Sequence, residues 1–126
     1  MRRRPDRGSA VVDFVLVTLV LVPVVLAVVQ LALVLYVRNT LASAASEGAR
    51  YGATLGHRPG DGALRAQDQI RGVLSHRYAR GVSARSTRID GAPAVEVTIR
   101  AKVPALGLAG PAVSFTVRGH AVQEQP

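Results

Sequence analysis

The chain has 126 residues, a formal net charge of +8 at pH 7 and no cysteine. Its length leaves room for one small domain beside a long apolar segment, which excludes a large enzyme. The lack of cysteine excludes disulfide bridges, thiolate metal sites and thiol catalysis.

Residues 14–37 form a run of 24 residues without Asp, Glu, Lys, Arg or His. As an α-helix that rises about 1.5 Å per residue it would be about 36 Å long, enough to cross a hydrocarbon core of about 30 Å. The polar residues inside it, Thr18 and Gln30, are uncharged, and a proline such as Pro23 is tolerated in membrane helices. The run therefore predicts a single transmembrane helix.

The orientation of this helix follows from the arginines around it. Four precede it: Arg2, Arg3, Arg4 and Arg7. Only Arg38 and Arg50 follow soon after it, and an excess of Arg and Lys beside a span marks the cytoplasmic side. We therefore expect a basic cytoplasmic leader at residues 1–13 and an extracytoplasmic part at residues 38–126.

A cleaved secretory signal is the alternative interpretation of the same segment. Residues 42–44 have the sequence Ala-Ser-Ala, which would suit a signal peptidase. The apolar core of a signal peptide usually spans only about 7 to 15 residues, however. Arg38 also separates the run from that cleavage site, so the sequence favours a membrane anchor.

Beyond the membrane the helical pattern continues, and one long helix is predicted over residues 10–55, with its extracytoplasmic part in residues 38–56. Four small residues in it are spaced by four: Ala44, Gly48, Gly52 and Gly56. This spacing puts them on one helix face, where another backbone can approach closely. The partner would be the protein's own domain or a helix of a neighbouring subunit, unless the row merely reflects an alanine-rich composition.

Residues 57–126 are predicted to form a small α+β domain outside the membrane. An amphipathic helix is expected at residues 61–78, after a turn at residues 56–60, and its apolar face should pack on a sheet. Alternating side chains predict three antiparallel strands at residues 82–89, 95–103 and 113–118. A turn at Asp90-Gly91 and a loop at residues 104–111 connect them, and residues 124–126 are expected to fray.

The most specific local signal lies just before the apolar run. Gly8 and Ser9 follow the four arginines of the leader, and Asp13 sits at the edge of the predicted membrane segment, where a carboxylate is costly. A cut after Gly8 would put the new amine of Ser9 one helical turn from Asp13, where an amine of one subunit would neutralise the carboxylate of the next. The other interpretation is that Asp13 only favours the positive end of the helix dipole.

Two stretches of the chain resemble the TadE-like family, the pilin-like minor components of the tight-adherence (Flp) pilus. They are RGSAVVDF at residues 7–14 and, after the apolar span with Pro23, RNTLASAASEGARYGA at residues 38–53. The most recognisable piece is EGARY at residues 47–51. The resemblance covers about the first 55 residues, and the remainder is similar only in general plan.

The resemblance implies a single-pass subunit whose leader is removed by a prepilin peptidase, a membrane aspartyl protease that cuts after glycine. By that motif Gly8 precedes the cut, Ser9 becomes the mature N-terminus and Asp13 takes the acidic position five residues in. The family more often has Glu there, and Asp keeps the charge but is one methylene shorter. Other pilin-like subunits and the membrane platform of the pilus machinery would be the partners.

An enzymatic function is disfavoured by the sequence, and no cofactor or small-molecule substrate is expected. The three histidines, His57, His76 and His120, are scattered, whereas a metal site needs three or more convergent ligands. From residue 38 onward 12 Arg or Lys residues face 6 acidic ones. Nucleic acid is still an unfavoured partner, because few aromatic side chains are available to stack on bases and no binding motif is recognised.

The sequence thus favours a structural, pilin-like subunit that takes part in assembly of a tight-adherence pilus or a related secretion apparatus. The alternative is an uncleaved, membrane-anchored module that binds envelope polymers or another membrane protein through its arginine-rich domain. The N-terminal residue of the purified protein would distinguish them.

Overall fold

The apolar run lies inside one long helix. The computed structural model describes residues 6–104 and 112–126, and the first helix, α1, extends over Asp6–Ala53 and passes through Pro23. By their contacts the described residues up to Leu33 form one unit, and those from Val34 onward form a second. The predicted loop at residues 104–111 lies outside the described residues except for Pro104.

The second unit contains a shorter helix than the periodicity predicted. α2 covers Pro59–Val73, and a 3₁₀ helix follows at His76–Gly81. The prediction of one helix over residues 61–78 was therefore wrong at its C-terminal end. Leu74 has an extended backbone and ends α2. Tyr78 is buried, but it belongs to the 3₁₀ helix and not to α2. Apolar spacing does not separate the two helix types over so short a segment, because their periods, 3.0 and 3.6, are close.

Three antiparallel strands form one sheet in the order β1-β2-β3. They cover Val82–Ile89, Ala92–Val103 and Val113–Val122. Asp90 and Gly91 both have positive φ, 50° and 83°, as a two-residue type I′ hairpin turn requires. The predicted turn and the predicted α+β class are therefore confirmed, although β2 begins earlier and β3 ends later than expected.

The core of the second unit lies between one face of the sheet and the helices. From β2 the buried side chains on this face are Val95, Val97, Ile99, Ala101 and Val103. The end of α1 contributes Val37, Leu41, Ala44, Ala45, Ala49 and Ala53, and the other helices contribute Ala66, Ile70, Tyr78 and Ala79. α2 contacts β1, while Gly119 of β3 lies against the backbone of Ala45. The fold is thus two layers, with helices covering one face of the sheet.

Hydrogen bonds cap the start of α2 and the end of α1. At the start of α2, the Arg58 N–H donates to Asp61 Oδ2 at 2.8 Å, and Pro59 occupies the first turn, where its missing donor costs nothing. At the end of α1, the Glu124 N–H donates to the Ala53 carbonyl at 3.0 Å. The Leu55 N–H donates to Glu124 Oε2 at 3.3 Å. The prediction that residues 124–126 fray was therefore wrong for Glu124.

Candidate membrane and assembly surfaces

The part of α1 up to Leu33, which we call its first part, exposes large apolar side chains along its length. The part from Val34 to Ala53 is its second part. Phe14 is 71% exposed, Leu19 68% and Leu31 59%. The helix is long and apolar enough to cross a membrane, and none of the most apolar stretch is buried within the chain. Water is a poor solvent for so many exposed apolar groups. This surface therefore fits a single-pass membrane anchor.

The three residues predicted to govern processing and register lie near the start of α1. Gly8, Ser9 and Asp13 are all exposed and all helical. Ser9 and Asp13 are four residues apart, so they lie on the same side of the helix about one turn from each other. The arginines at positions 2, 3 and 4 lie outside the described residues.

Gly48 and Gly52 lie where α1 crosses α2, a contact that we call the glycine crossing. A Cβ atom on Gly48 would be 2.5 Å from the carbonyl oxygen of Gly62 and 3.0 Å from the Cβ of Ala66. A Cβ atom on Gly52 would be 3.3 Å from the Cα of Gly62. The partner of these two glycines within the described chain is therefore the protein's own domain. Gly62 was not singled out from the sequence, because its role depends on a backbone 14 residues earlier.

The predicted row of small residues does not continue to Gly56. α1 ends at Ala53, so Gly56 lies in the following turn, with φ of +84°. No described atom comes within 4 Å of the place that its Cβ would take. Gly56 therefore serves the left-handed turn after the helix, where glycine avoids the strain that a side chain causes. Ala44, at the other end of the row, is fully buried in the core.

The EGARY sequence at residues 47–51 contacts α2 and the turn before it through several of its members. Glu47 pairs with Arg65 at 3.8 Å, and Gly48 belongs to the glycine crossing. The ring of Tyr51 lies 4.2 Å from the His57 ring, centroid to centroid, and the Arg65 guanidinium lies 5.9 Å from the Tyr51 centroid. This sequence thus docks α2 on α1.

A buried carboxylate on the other face of the sheet was not predicted. Glu96 in β2 lies between Arg85 of β1 and His120 of β3, which are its partners in the strand register. Arg85 Nε donates to Glu96 Oε1 at 2.7 Å, and His120 Nε2 lies 2.6 Å from Oε2. The hydrogen bond from Arg85 and, next, that of His120 hold the pKa of Glu96 below its ordinary value of 4.5.

This row of three side chains ties the three strands together. The Glu96 side chain is only 8% exposed, against 70% for Arg85 and 41% for His120. The Thr98 hydroxyl also lies 3.4 Å from Glu96 Oε1, so the carboxylate is satisfied. Burying a charge is favourable only when it is paired in this way. The sequence contains the acid, Glu96, and its two basic neighbours. Their adjacency could not be predicted, because it depends on the register of the strands.

Among the described residues, no three His, Asp or Glu side chains come close enough together to hold a metal ion. His57 contacts Tyr51, while His120 contacts Glu96. His76 begins the 3₁₀ helix and is exposed. The three histidines are thus in different surroundings.

Comparison with known proteins bears on the N-terminal part of the chain. No curated protein and no solved structure matches the sequence. The family model described as TadE-like protein matches residues 8–50, which include the apolar run and most of the EGARY sequence. The resemblance predicted from the sequence is thereby confirmed over these residues, and this part of the chain is similar to TadE-like proteins.

Proposed function

We propose that the protein is a pilin-like structural subunit that takes part in assembly of a tight-adherence pilus or a related secretion apparatus. The observation that carries the proposal is the TadE-like match over residues 8–50, in a chain whose first helix exposes an uninterrupted apolar surface. The match begins at Gly8, the residue that precedes the expected cut. The family is associated with the Tad pilus, and its members act as structural components.

The proposed mechanism is lateral packing of apolar helices. A prepilin peptidase removes the leader after Gly8, and the chain remains in the cell membrane with residues 38–126 on the outside. The amine of Ser9 then pairs with Asp13 of a neighbouring pilin-like subunit. Such a pair is worth more in a membrane than in water, because hydrocarbon has a low dielectric constant and does not solvate the charges. The exposed positions of Ser9 and Asp13 on α1 support this assignment.

The folded domain supports a structural function in a second way. Glu96 and the EGARY sequence stabilise the fold, since Glu96 ties strands together and EGARY docks a helix. The domain therefore presents a surface to partners at the end of a membrane helix. Contact with the membrane platform of the pilus machinery would use that surface, and no catalytic step is assigned to it.

N-terminal sequencing and intact mass of the protein purified from membranes test the proposal. When a prepilin peptidase is co-expressed, we expect the mature chain to begin at Ser9. Gly8→Val should block the cut, and Ser9→Ala should not, which separates the requirement for glycine from a general effect of substitution at this place. A chain that still begins at Met1 with active peptidase would contradict the proposal and favour the uncleaved anchor. A start near Ala45 would indicate ordinary secretion.

The role of Asp13 needs a separate measurement. Asp13→Asn removes the charge with almost no change of shape, whereas Asp13→Glu keeps the charge and restores the residue that the family more often has. We expect Asp13→Asn to reduce co-isolation with other pilin-like subunits and Asp13→Glu to retain it. Equal co-isolation of both variants would show that the charge does not determine register.

A further inference from the structure

One end of the sheet forms an open groove beside the 3₁₀ helix, with a volume of about 570 Å³. We call it the basic groove. β1 begins at Val82, which pairs with Ile99 of β2. Beyond this pair the 3₁₀ helix that precedes β1, and not a strand, lies beside β2. Gly81 makes this possible, because a side chain there would overlap the carbonyl of Arg100. β3 continues alongside β2 and completes the floor of the groove.

Four cationic side chains line the basic groove: Arg77, Arg80, Arg100 and Lys102. None of the ten described residues that line it is acidic, and two of them, Ser114 and Thr116, carry hydroxyl groups. Three arginines elsewhere in the domain have acidic partners: Arg65, Arg71 and Arg85. Within the described chain the four groove cations make no ion pair. Guanidinium and hydroxyl donors around an unneutralised positive site suit a phosphate group.

The groove lies at the end of the domain that contains Val37, where the predicted membrane run ends in the sequence. Gly119 lies against Ala45, and the Glu124 N–H donates to the Ala53 carbonyl. The five residues from Gly119 to Glu124 therefore advance as far as the eight residues of α1 from Ala45 to Ala53. At the same ratio, Ser114, five residues before Gly119, lies level with about Val37. Ser114 pairs with Lys102 in the sheet, so this groove cation lies at the same level. Val37 is also the last residue of the run without Asp, Glu, Lys, Arg or His.

We propose that the basic groove binds the headgroup phosphate of an anionic phospholipid at the outer surface of the cell membrane. The proposal rests on the membrane anchorage given under Proposed function, because that anchorage brings the groove to headgroup level. Cations at such a surface attract anionic lipid, and the open groove admits a headgroup from the side. Phospholipid would thus hold the domain against the membrane in a defined orientation.

Native mass spectrometry of the full chain in detergent, titrated with short-chain lipids, tests this. We expect phosphatidylglycerol to bind in preference to phosphatidylcholine, and the preference to fall as salt is raised, since exposed charges are screened. Replacing Arg80, Arg100 and Lys102 together by Gln should weaken phosphatidylglycerol binding at low salt by at least about tenfold. Equal binding of the two lipids by the unsubstituted chain would overturn the proposal.

A matched control removes the same charge from the other end of the domain. Arg50, Arg58 and Arg88 are exposed and make no ion pair among the described residues. Arg88 pairs with Pro93, whose carbonyl accepts from Gln123, near the end of α1. Replacing these three by Gln should leave phosphatidylglycerol binding almost unchanged. An equal loss in both triple variants would overturn the proposal, because it would reduce the effect to net charge.

A competition experiment and a further variant complete the test. Inorganic phosphate is added as a competitor, and complete competition would identify a site for free anions and overturn the lipid assignment. If the groove triple variant fails to fold, Ser114→Glu puts an acid into the groove at an exposed position and should reduce phosphatidylglycerol binding as well. Normal binding by a folded Ser114→Glu variant would contradict the proposal.

Failure of this proposal is distinguishable from failure of membrane anchorage. Alkaline extraction of membranes shows whether the unsubstituted chain is anchored, independently of any lipid preference. An anchored chain without preference for phosphatidylglycerol would overturn the groove proposal alone. A chain released by alkali would contradict the anchorage, and with it the position of the groove at the membrane surface.

Discussion

The two parts of α1 treat apolar side chains in opposite ways: the first exposes large ones, and the second buries small ones. In the first part, large apolar residues such as Phe14 and Leu19 are 71% and 68% exposed. In the second part, the small residues Ala45 and Ala49 are completely buried. Apolarity alone would predict the reverse order, since Leu and Phe gain more from leaving water than Ala does. Small residues thus allow this helix to approach its own domain closely, although the larger Val37 and Leu41 are buried there as well.

The physical reason lies in the distance between backbones. At the glycine crossing, the Gly62 carbonyl occupies the space that a side chain on Gly48 would fill, and at Gly119 the sheet comes just as close to Ala45. Large side chains would hold these elements apart. The first part of α1 has no such small face, so its apolar surface needs a solvent or a partner from outside the chain.

A charge in the first part of α1 should have the largest effect on its behaviour. Leu26 lies near the middle of the apolar run, and Leu26→Arg should make membrane insertion less favourable by about 3 kcal/mol. Leu64→Arg is the control, because Leu64 on α2 is similarly exposed, 59% against 44%. Alkaline extraction of membranes measures the outcome. Equal retention of both variants would show that the first part of α1 does not lie in lipid.

A methyl group at the glycine crossing tests the second part of α1. Gly48→Ala would bring a Cβ to 2.5 Å from the Gly62 carbonyl oxygen, and overpacking of this kind costs about 1–3 kcal/mol. Gly72→Ala is the matched control, since no described atom lies within 4 Å of its Cβ position and alanine favours the helix by up to about 1 kcal/mol. Thermal unfolding of the full chain in detergent, followed by circular dichroism, should show opposite shifts.

The sign of that difference is the informative result. If Gly48→Ala were as stable as Gly72→Ala, the helices would be able to separate without loss, and close approach would not be what holds the second part of α1 to its domain. The comparison between the two parts would then have to rest on another property.

The smallest expected effect concerns Glu96, on the face of the sheet away from α1. Its pKa is lowered in the folded state by the Arg85 hydrogen bond first and that of His120 next. A lowered pKa means that ionised Glu96 stabilises the fold above its ordinary value of 4.5, and that this stability is lost as the pH falls further. Glu96→Gln should cost about 1 kcal/mol at neutral pH and flatten the loss of stability in acid.

The control for this pH dependence is Glu47→Gln. Glu47 is 47% exposed and lies 3.8 Å from its Arg65 partner, so this pair should contribute only a few tenths of a kcal/mol. Urea unfolding of each full-length variant at several pH values measures both. If the free energy of unfolding of Glu96→Gln fell with decreasing pH as steeply as that of the unsubstituted chain, the row of Arg85, Glu96 and His120 would not stabilise the sheet.

Features set by local sequence were predictable, and those set by distant contacts were not. The turn at Asp90-Gly91, the bounds of β1 and the long helix follow from turn chemistry, alternation and apolarity. The break after Val73 was missed because Tyr78 keeps the spacing of the preceding helix. Gly62 and Glu124 were missed for another reason: each acts on a part of α1 far from it in sequence, and nothing in its own neighbourhood indicates that partner.

The candidate surfaces divide in the same way. Gly8, Ser9 and Asp13 could be selected because the leader motif is local and resembles a family. Gly48 and Gly52 could be selected by their spacing, but the spacing did not distinguish a partner within the chain from one in another subunit. The basic groove combines residues from β2, β3 and the 3₁₀ helix, so it becomes visible only in the folded domain.

The meeting of Gly48 with Gly62 restricts how this region can change. At most interfaces a bulky replacement on one side is rescued by trimming the opposite side chain. Here each residue faces the main chain of the other, and hydrogen is already the smallest substituent available. Compensating replacements across the contact are therefore ruled out, and a suppressor of a change at either glycine would have to shift a whole helix.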